Sequence, residues 1–394
     1  MSQPLEGIRV IDFGRFIAAP YCGMLLADMG ADVIRVERRE GGEDRGLGPV
    51  TEAGEGGMFL NLNRNKRGIT LELGTPQGEE IVRRLVASAD IAIVNLPIVT
   101  MKKVKLDYDS LREIKPDIIL VMASAFGPDG PYAERVGFDG VAQAMSGAMS
   151  LTGFPDNPVR SIVPWVDYGT ALHGAFGAAT ALYHRERTGE GQVIDISLLA
   201  TSVTFMQPML AERANTDVVR TQWGNTGFYS APNDVYKTRD GWITVACVGD
   251  WMFRRWCKAV GRTDLVEDPR MQTDISRADH HDVISEVMSK WCAERTNDEV
   301  IAEMEKNRIA CGKNYVLDQT LADPQVKARG LLQEVPSPQD GQAVPLAPAP
   351  ARLSRNETKP LRPAPRLGQH TDEVLGELGF SSHEIAAFRE AGAI

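Results

Sequence analysis

The first forty residues restrict the fold more than any other stretch of the chain. Ile8 to Phe13 alternates as a strand, Ala19 to Met29 suits a helix closed by Gly30-Ala31, and Asp32 to Glu37 forms a second strand. Two strands joined through a helix within about thirty residues make a parallel pair with a right-handed crossover. The segment has no GxGxxG, so a dinucleotide fingerprint is absent although the architecture is of that kind.

The pattern continues downstream. Gly68 to Leu73 is predicted as a strand, and a helix over Pro76–Ser88 opens at Thr75, with Glu79-Glu80 near its positive end. Strands follow over Ile91–Val94 and Ile118–Val121, the second apolar enough to be buried on both faces. These units predict an α/β, Rossmann-like, doubly wound large domain whose ligands bind beyond the carboxyl ends of the strands. Asp12-Phe13-Gly14, Glu37-Arg38 and Asn95 all fall at such ends.

Asp167 lies in Val163-Pro164-Trp165-Val166-Asp167-Tyr168-Gly169-Thr170, a carboxylate among apolar and small residues. A helix rich in glycine and alanine is predicted behind it, over Ala171–Tyr183. A basic turn comes next, then a strand from Val193 to Leu198. Two readings fit. An aspartate before a helix is a common N-cap. The other reading, to which local sequence gives less weight than to the cap, is a nucleophile toward an activated acyl group, with backbone donors nearby for the oxyanion.

The second half is organised differently. Gly224 to Gly227 reads as a flexible connection, Gly241–Val248 as a strand, and Trp251–Val260 and His280–Lys306 as helical. The expected domains are 1–205, a large α/β domain; 225–328, a smaller α+β domain; and 329–394, a return completing the large domain. Pro336 to Pro365 is proline-rich and should wrap another surface, before helices from Thr371 to Leu378 and after Ser381.

Composition narrows the function. A formal charge of −10 argues against non-specific nucleic-acid binding. No apolar run reaches the roughly 18–20 residues of a membrane span, and the N-terminus has no signal-peptide pattern. Five scattered cysteines, Cys22, Cys247, Cys257, Cys292 and Cys311, form no CxxC pair or metal-ligand spacing. A cytoplasmic protein without a bound metal is the expectation, with His280-His281 read as a solvated helix face.

Several segments together resemble the family III coenzyme A transferases, the CaiB/BaiF group. They are Pro4 to Phe13, Leu26 to Glu37, Asn63 to Gly68, Gly137-Phe138-Asp139, Gln143 to Gly147, Arg187 to Gln192 and Leu367 to Thr371. They run through nearly the whole chain in the family's order. The resemblance implies that Asp167 attacks an acyl-CoA thioester to form an aspartyl anhydride. The released CoA then makes an aspartyl-CoA thioester, which passes to an incoming carboxylate. The partners implied are an acyl-CoA and a small carboxylic acid, with no cofactor, and an interlaced homodimer. The resemblance also assigns CoA contacts to Ala18, Arg38, Leu71, Asn95, Leu96, Lys103, Phe138 and Asp139.

The chain departs from the family pattern in places. Lys103 stands where an arginine is usual, which keeps the charge and loses the bidentate fork. Leu96-Pro97-Ile98 replaces a Phe-Arg-Pro run, and only Trp223 to Gly227 remains near the glycine-rich lid of formyl-CoA transferases. Ala310 to Tyr315 replaces a Pro-Cys-Gly-Pro-Val run. The rival activity, 2-methylacyl-CoA racemisation, uses a histidine where this chain has Phe138; His173 is expected in a helix core or cap. Arg160 and Arg220 are candidates for recognising a second substrate carboxylate.

Overall fold

A computed structural model describes residues 3–356 and 361–394. Residues 1 and 2, and positions 357–360 of the proline-rich segment, lie outside the described residues. Contacts divide the chain into two compact units: 1–148, 161–216 and 328–394 form the first, and 149–160 with 217–327 the second.

The first unit is built on β1 (Arg9–Asp12), α1 (Ala18–Asp28), β2 (Asp32–Glu37), α2 (Gly57–Asn63), β3 (Arg67–Thr70), α3 (Pro76–Ala87), β4 (Ile91–Val94), β5 (Ile119–Ser124), α4 (Asp139–Met145), α5 (Trp165–Thr188) and β6 (Val193–Ser197). Its six strands are all parallel, in the order β3-β2-β1-β4-β5-β6. That order reverses between β1 and β4, which marks the switch point where such sheets bind ligands. Alternation along the strands explains the layers. Ile11, Ile34, Ala92 and Leu120 face a core with Ile81, Val82 and Leu85 of α3 and the C-terminal Val374, Leu375 and Ile385. Their neighbours Val10, Val33, Ile91, Ile93 and Val121 face α1 and α5. Strands buried on both faces lose the polar alternation of a half-exposed sheet.

Local chemistry sets the element ends. Thr75 caps α3 by accepting from the Gly78 amide. The strand predicted to Leu73 stops at Thr70: Leu71 still donates to the Glu37 carbonyl, but the Glu72 amide turns to the Ala393 carbonyl. Helix α5 begins at Trp165 and runs to Thr188, longer at both ends than the predicted Ala171–Tyr183. It ends at Gly189, whose φ of 78° is the left-handed conformation of a helix C-terminus.

The proline-rich return buries more of itself than its composition suggests. Gln333–Pro336 and Ala343–Leu346 pair antiparallel. Val335, Val344, Leu346 and Ala364 pack with Phe59 and Leu60 of α2, so the segment wraps its own unit.

In the second unit β7 (Asn233–Lys237), β8 (Trp242–Ala246) and β9 (Ala310–Lys313) form an antiparallel sheet in the order β9-β8-β7. Its core includes Ile243, Phe253, Trp256, Ile284, Met288 and Met304. The helical stretch expected over His280–Lys306 is two helices, His281–Ala293 and Asn297–Lys306. A capping box breaks it: Thr296 accepts from the Glu299 amide while the Glu299 carboxylate accepts from Thr296. Among the described residues no helix is long and apolar enough to cross a membrane.

Candidate active site

Asp167 occupies the first turn of α5 and is not its N-cap, which is Pro164. The capping comes from elsewhere in the chain. Asp139, at the start of α4, accepts from the Val166 amide at 2.8 Å and from the Asp167 amide at 3.1 Å. Its other oxygen takes a hydrogen bond from Gln143 Nε2 at 2.5 Å, and Gln143 is fixed by the Ser161 amide at 2.9 Å. Freed from capping, the Asp167 side chain meets the start of α1, whose N-cap Ile17 has no side-chain acceptor. The Ala18 amide donates to the Asp167 carboxylate.

Burial and the neighbouring Asp139 charge raise the Asp167 carboxyl from its ordinary value to about 7, against the lowering effect of the Ala18 amide. A carboxylate so placed is a stronger base than a solvated one, and it sits between the amide-bearing starts of two helices. This arrangement suits nucleophilic attack on an acyl carbon, with the developing charge close to backbone donors.

The segment from Phe13 to Ile17 is anchored beneath this site. Gly14 donates to Asp12 Oδ1 at 2.8 Å. The fully buried Lys66 ammonium donates to Asp12 Oδ2 and the Pro20 carbonyl, both at 2.7 Å, and to Asn63 at 3.0 Å. Asn95 clamps the same loop from β4, accepting from the Arg15 amide at 3.0 Å and donating to the Arg15 carbonyl at 2.8 Å. Phe16 is held at φ 65°, a conformation non-glycine residues adopt rarely, and its ring meets Phe138 edge-on at 5.8 Å.

Six of the eight sequence-predicted contacts fall into two groups about this loop. Ala18, Phe138 and Asp139 cluster with Asp167; Phe138 is exposed and not core. Arg38, Leu71 and Leu96 line a cavity of about 170 Å³ with Phe13, Gly14, Arg15, Glu37 and Leu73. Of its three lining arginines, Arg35 is buried and paired with Glu37 and Asp44, while Arg15 and Arg38 are about half exposed; apolar walls beside those two suit a ligand with a flat apolar face and anionic groups. Asn95 acts through the Arg15 backbone and is not part of the lining. Lys103, the exposed last residue of the helix Ile98–Lys103, is also outside it.

His173 is exposed on α5, with its ring 5.9 Å from Phe205, so it fills neither a core nor a cap. Arg160 and Arg220 belong to the second unit, where the rings of Trp223, Phe228 and Tyr229 surround Arg220 at 6.0, 5.2 and 5.3 Å. A larger cavity, about 310 Å³, lies at the other end of α1 among Asp28, Asn65, Arg352 and Arg362; it touches no predicted site residue. Among the described residues no cluster of three metal-ligating side chains occurs. Sequence reasoning missed Arg15, Phe16 and the roles of Lys66 and Gln143. Lys66 also bonds Asn63 and Gln143 also bonds Asp139 close by. The partners that give them their roles, Asp12 and Pro20 for Lys66 and Ser161 for Gln143, are distant in the chain, so no local spacing marks them.

Comparison with known proteins bears on these features. Residues 5–371 match the family model for CoA-transferase family III. A succinate–glutarate CoA-transferase of Agrobacterium fabrum is 37% identical over 387 residues, covering 96% of each chain. A succinyl-CoA–D-citramalate CoA-transferase of Chloroflexus aurantiacus is 34% identical, covering 98% of this chain and 96% of that one. The crystal structure of a CaiB/BaiF family protein from Brucella suis superimposes with a TM-score of 0.84 at 34% identity. It covers 96% of this chain and 100% of that one.

Proposed function

The chain belongs to CoA-transferase family III, and from that premise we propose that Asp167 is the nucleophile that carries CoA from donor to acceptor. The transfer of CoA between an acyl-CoA and a carboxylic acid is the family's activity and this chain's. The observation that carries the mechanism is the Asp167 carboxylate, largely withdrawn from solvent, raised to about 7 and facing the Ala18 amide.

An Asp167 oxygen bonds to the acyl carbon, the carbon–sulfur bond breaks, and CoA leaves as its thiolate. The thiolate then attacks the Asp167 carbonyl carbon of the mixed anhydride, releasing the first acid as a carboxylate and leaving an aspartyl-CoA thioester. The acceptor carboxylate attacks that thioester, and the thiolate it frees attacks the acceptor's acyl carbon, restoring Asp167. Both covalent intermediates keep the activation of the original thioester. Carboxylates and a thiolate suffice for every step, so the scheme calls for no cofactor; CoA is a substrate. Relatives named for succinate, glutarate and citramalate support a dicarboxylic acid on at least one side. We also assign the protein to the cytoplasm, in keeping with five free cysteines, four of them buried, and to a homodimer of interlaced subunits.

Racemisation is not favoured. It needs a second acid/base group opposite Asp167, and the histidine position is Phe138. The oxygens of Asp139 next to it are engaged by three hydrogen-bond donors.

Hydroxylamine trapping tests the proposal. Incubation with an acyl-CoA should convert Asp167, and no other carboxylate, to a hydroxamate seen by peptide mass spectrometry. The Asp167→Ala protein should bind CoA yet exchange no acyl groups. Substantial exchange by a folded Asp167→Ala protein would sink the mechanism.

A further inference from the structure

Glu43 connects two arginines, Arg15 and Arg38, that line the cavity beside β1 and β2. Its Oε1 accepts from Arg38 at 2.9 Å and its Oε2 pairs with Arg15. All three side chains are about half exposed, so this is an anion bridging two cations at the surface. Exposed pairs of this kind contribute little to stability and separate readily. Each arginine also has contacts that do not involve Glu43, through the backbone and a ring for Arg15 and through the guanidinium for Arg38. Arg15 projects from backbone clamped twice by Asn95, and its guanidinium lies 5.4 Å from the Phe16 ring. Arg38 donates through Nε to the Gly41 carbonyl at 2.8 Å. Both line the same apolar-walled cavity.

We infer that Glu43 is a built-in stand-in for a ligand phosphate: it occupies Arg15 and Arg38 in the empty protein and is displaced when a phosphate of CoA binds that pair. This rests on the reading of the protein as a CoA-transferase. It adds Arg15 as a second phosphate-binding residue beside Arg38, and gives Glu43 the role of a competitor. The pairing requires a carboxylate with two free oxygens and a reach short enough to bridge both guanidinium groups, which Glu43 meets from the short helical turn Glu43–Gly46. When a phosphate arrives, the carboxylate turns to solvent, an exchange of two exposed carboxylate–arginine pairs for stronger phosphate–arginine ones.

Titration calorimetry with CoA, repeated with 3′-dephospho-CoA, separates the outcomes. Glu43→Gln removes the competing charge and should tighten CoA about two- to fivefold, the range set by an exposed ion pair. Arg15→Ala should weaken CoA about tenfold or more. The control Glu80→Gln, which breaks a similar exposed bridge to Arg83 and Arg84, should leave CoA affinity unchanged. Unchanged or weaker CoA binding by Glu43→Gln, while the wild type binds normally, overturns the inference and leaves the transferase reading intact. Failure of the wild-type protein to bind CoA at all would instead overturn the reading on which it rests. If both arginine and glutamate effects vanish with 3′-dephospho-CoA, the displaced carboxylate stands in for the 3′-phosphate; if they persist, for the diphosphate.

Discussion

At the scale of single residues, the pH behaviour of Asp167 is the sharpest consequence of its setting. Its folded value, about 7, lies above that of an unfolded aspartate, so the native state binds more protons in the window between them. Stability is therefore lost as pH rises from about 4 to about 7, and below that window the residue contributes no penalty. Asp167→Asn should remove the penalty, stabilising the protein by about 2–4 kcal/mol at pH 8 and by little at pH 4; urea denaturation at the two values checks this. Activity runs the opposite way. The ionised form attacks, so kcat/KM should climb through about pH 7 and level off above it. Asp139→Asn deletes a charge that raises Asp167 while leaving an oxygen to cap α5. The rising limb should move toward acid by about one unit, a shift a merely structural loss would not cause. Arg38→Ala should weaken every acyl-CoA alike, by about 1–3 kcal/mol, because it acts on the nucleotide end. A loss confined to one donor would place Arg38 at the acyl group.

Elements show which features a sequence discloses and which it hides. The parallel sheet was legible because Ile8–Phe13 and Asp32–Glu37 carry apolar residues broken by single charges around a helix, and Ile91–Val94 and Ile118–Val121 are continuous apolar runs. The start of α5 was not. Its cap is Asp139, 27 and 28 residues before the amides it holds, so no local pattern announces that Asp167 lies inside the helix. The break between Ala293 and Asn297 did have a local signal, the Thr296-to-Glu299 capping box, which the long helical reading of His280–Lys306 passed over. Asn95 shows a third case. Its place at a strand end was readable, but its bond to the Arg15 backbone depends on the sheet bringing β1 and β4 together. The joint from α5 to β6 gives a test at this scale. A Cβ on Gly191 would sit 2.2 Å from the Ile118 carbonyl oxygen and 2.6 Å from that of Asp117. Backbone cannot yield as a side chain can. Gly191→Ala should cost about 1–3 kcal/mol by overpacking, read as a lower denaturation midpoint, and a neutral result would show that the loop moves freely.

For the whole molecule, the surface of the first unit bears on assembly. One face of α5, with Ala171, Gly174, Ala178 and Ala181, is buried against the sheet side. Another carries Leu172, Phe176 and Tyr183, which are 51%, 74% and 62% exposed, and Ile162 just upstream is 84% exposed. A helix apolar on two faces leaves one unsatisfied in a monomer, and large apolar side chains exposed along one helix face mark an association surface. A homodimer that covers that face is the expected outcome. If the subunits are interlaced, dissociation also requires unfolding, so stability and assembly become one quantity. Phe176→Glu then separates two kinds of dimer. Subunits merely laid side by side should fall apart into folded monomers, whereas interlaced ones should stay dimeric and unfold at a lower temperature. Sedimentation velocity of the wild type at high dilution supplies the decisive measurement: a folded, active species at the single-chain mass of 43.1 kDa would refute the interlaced dimer.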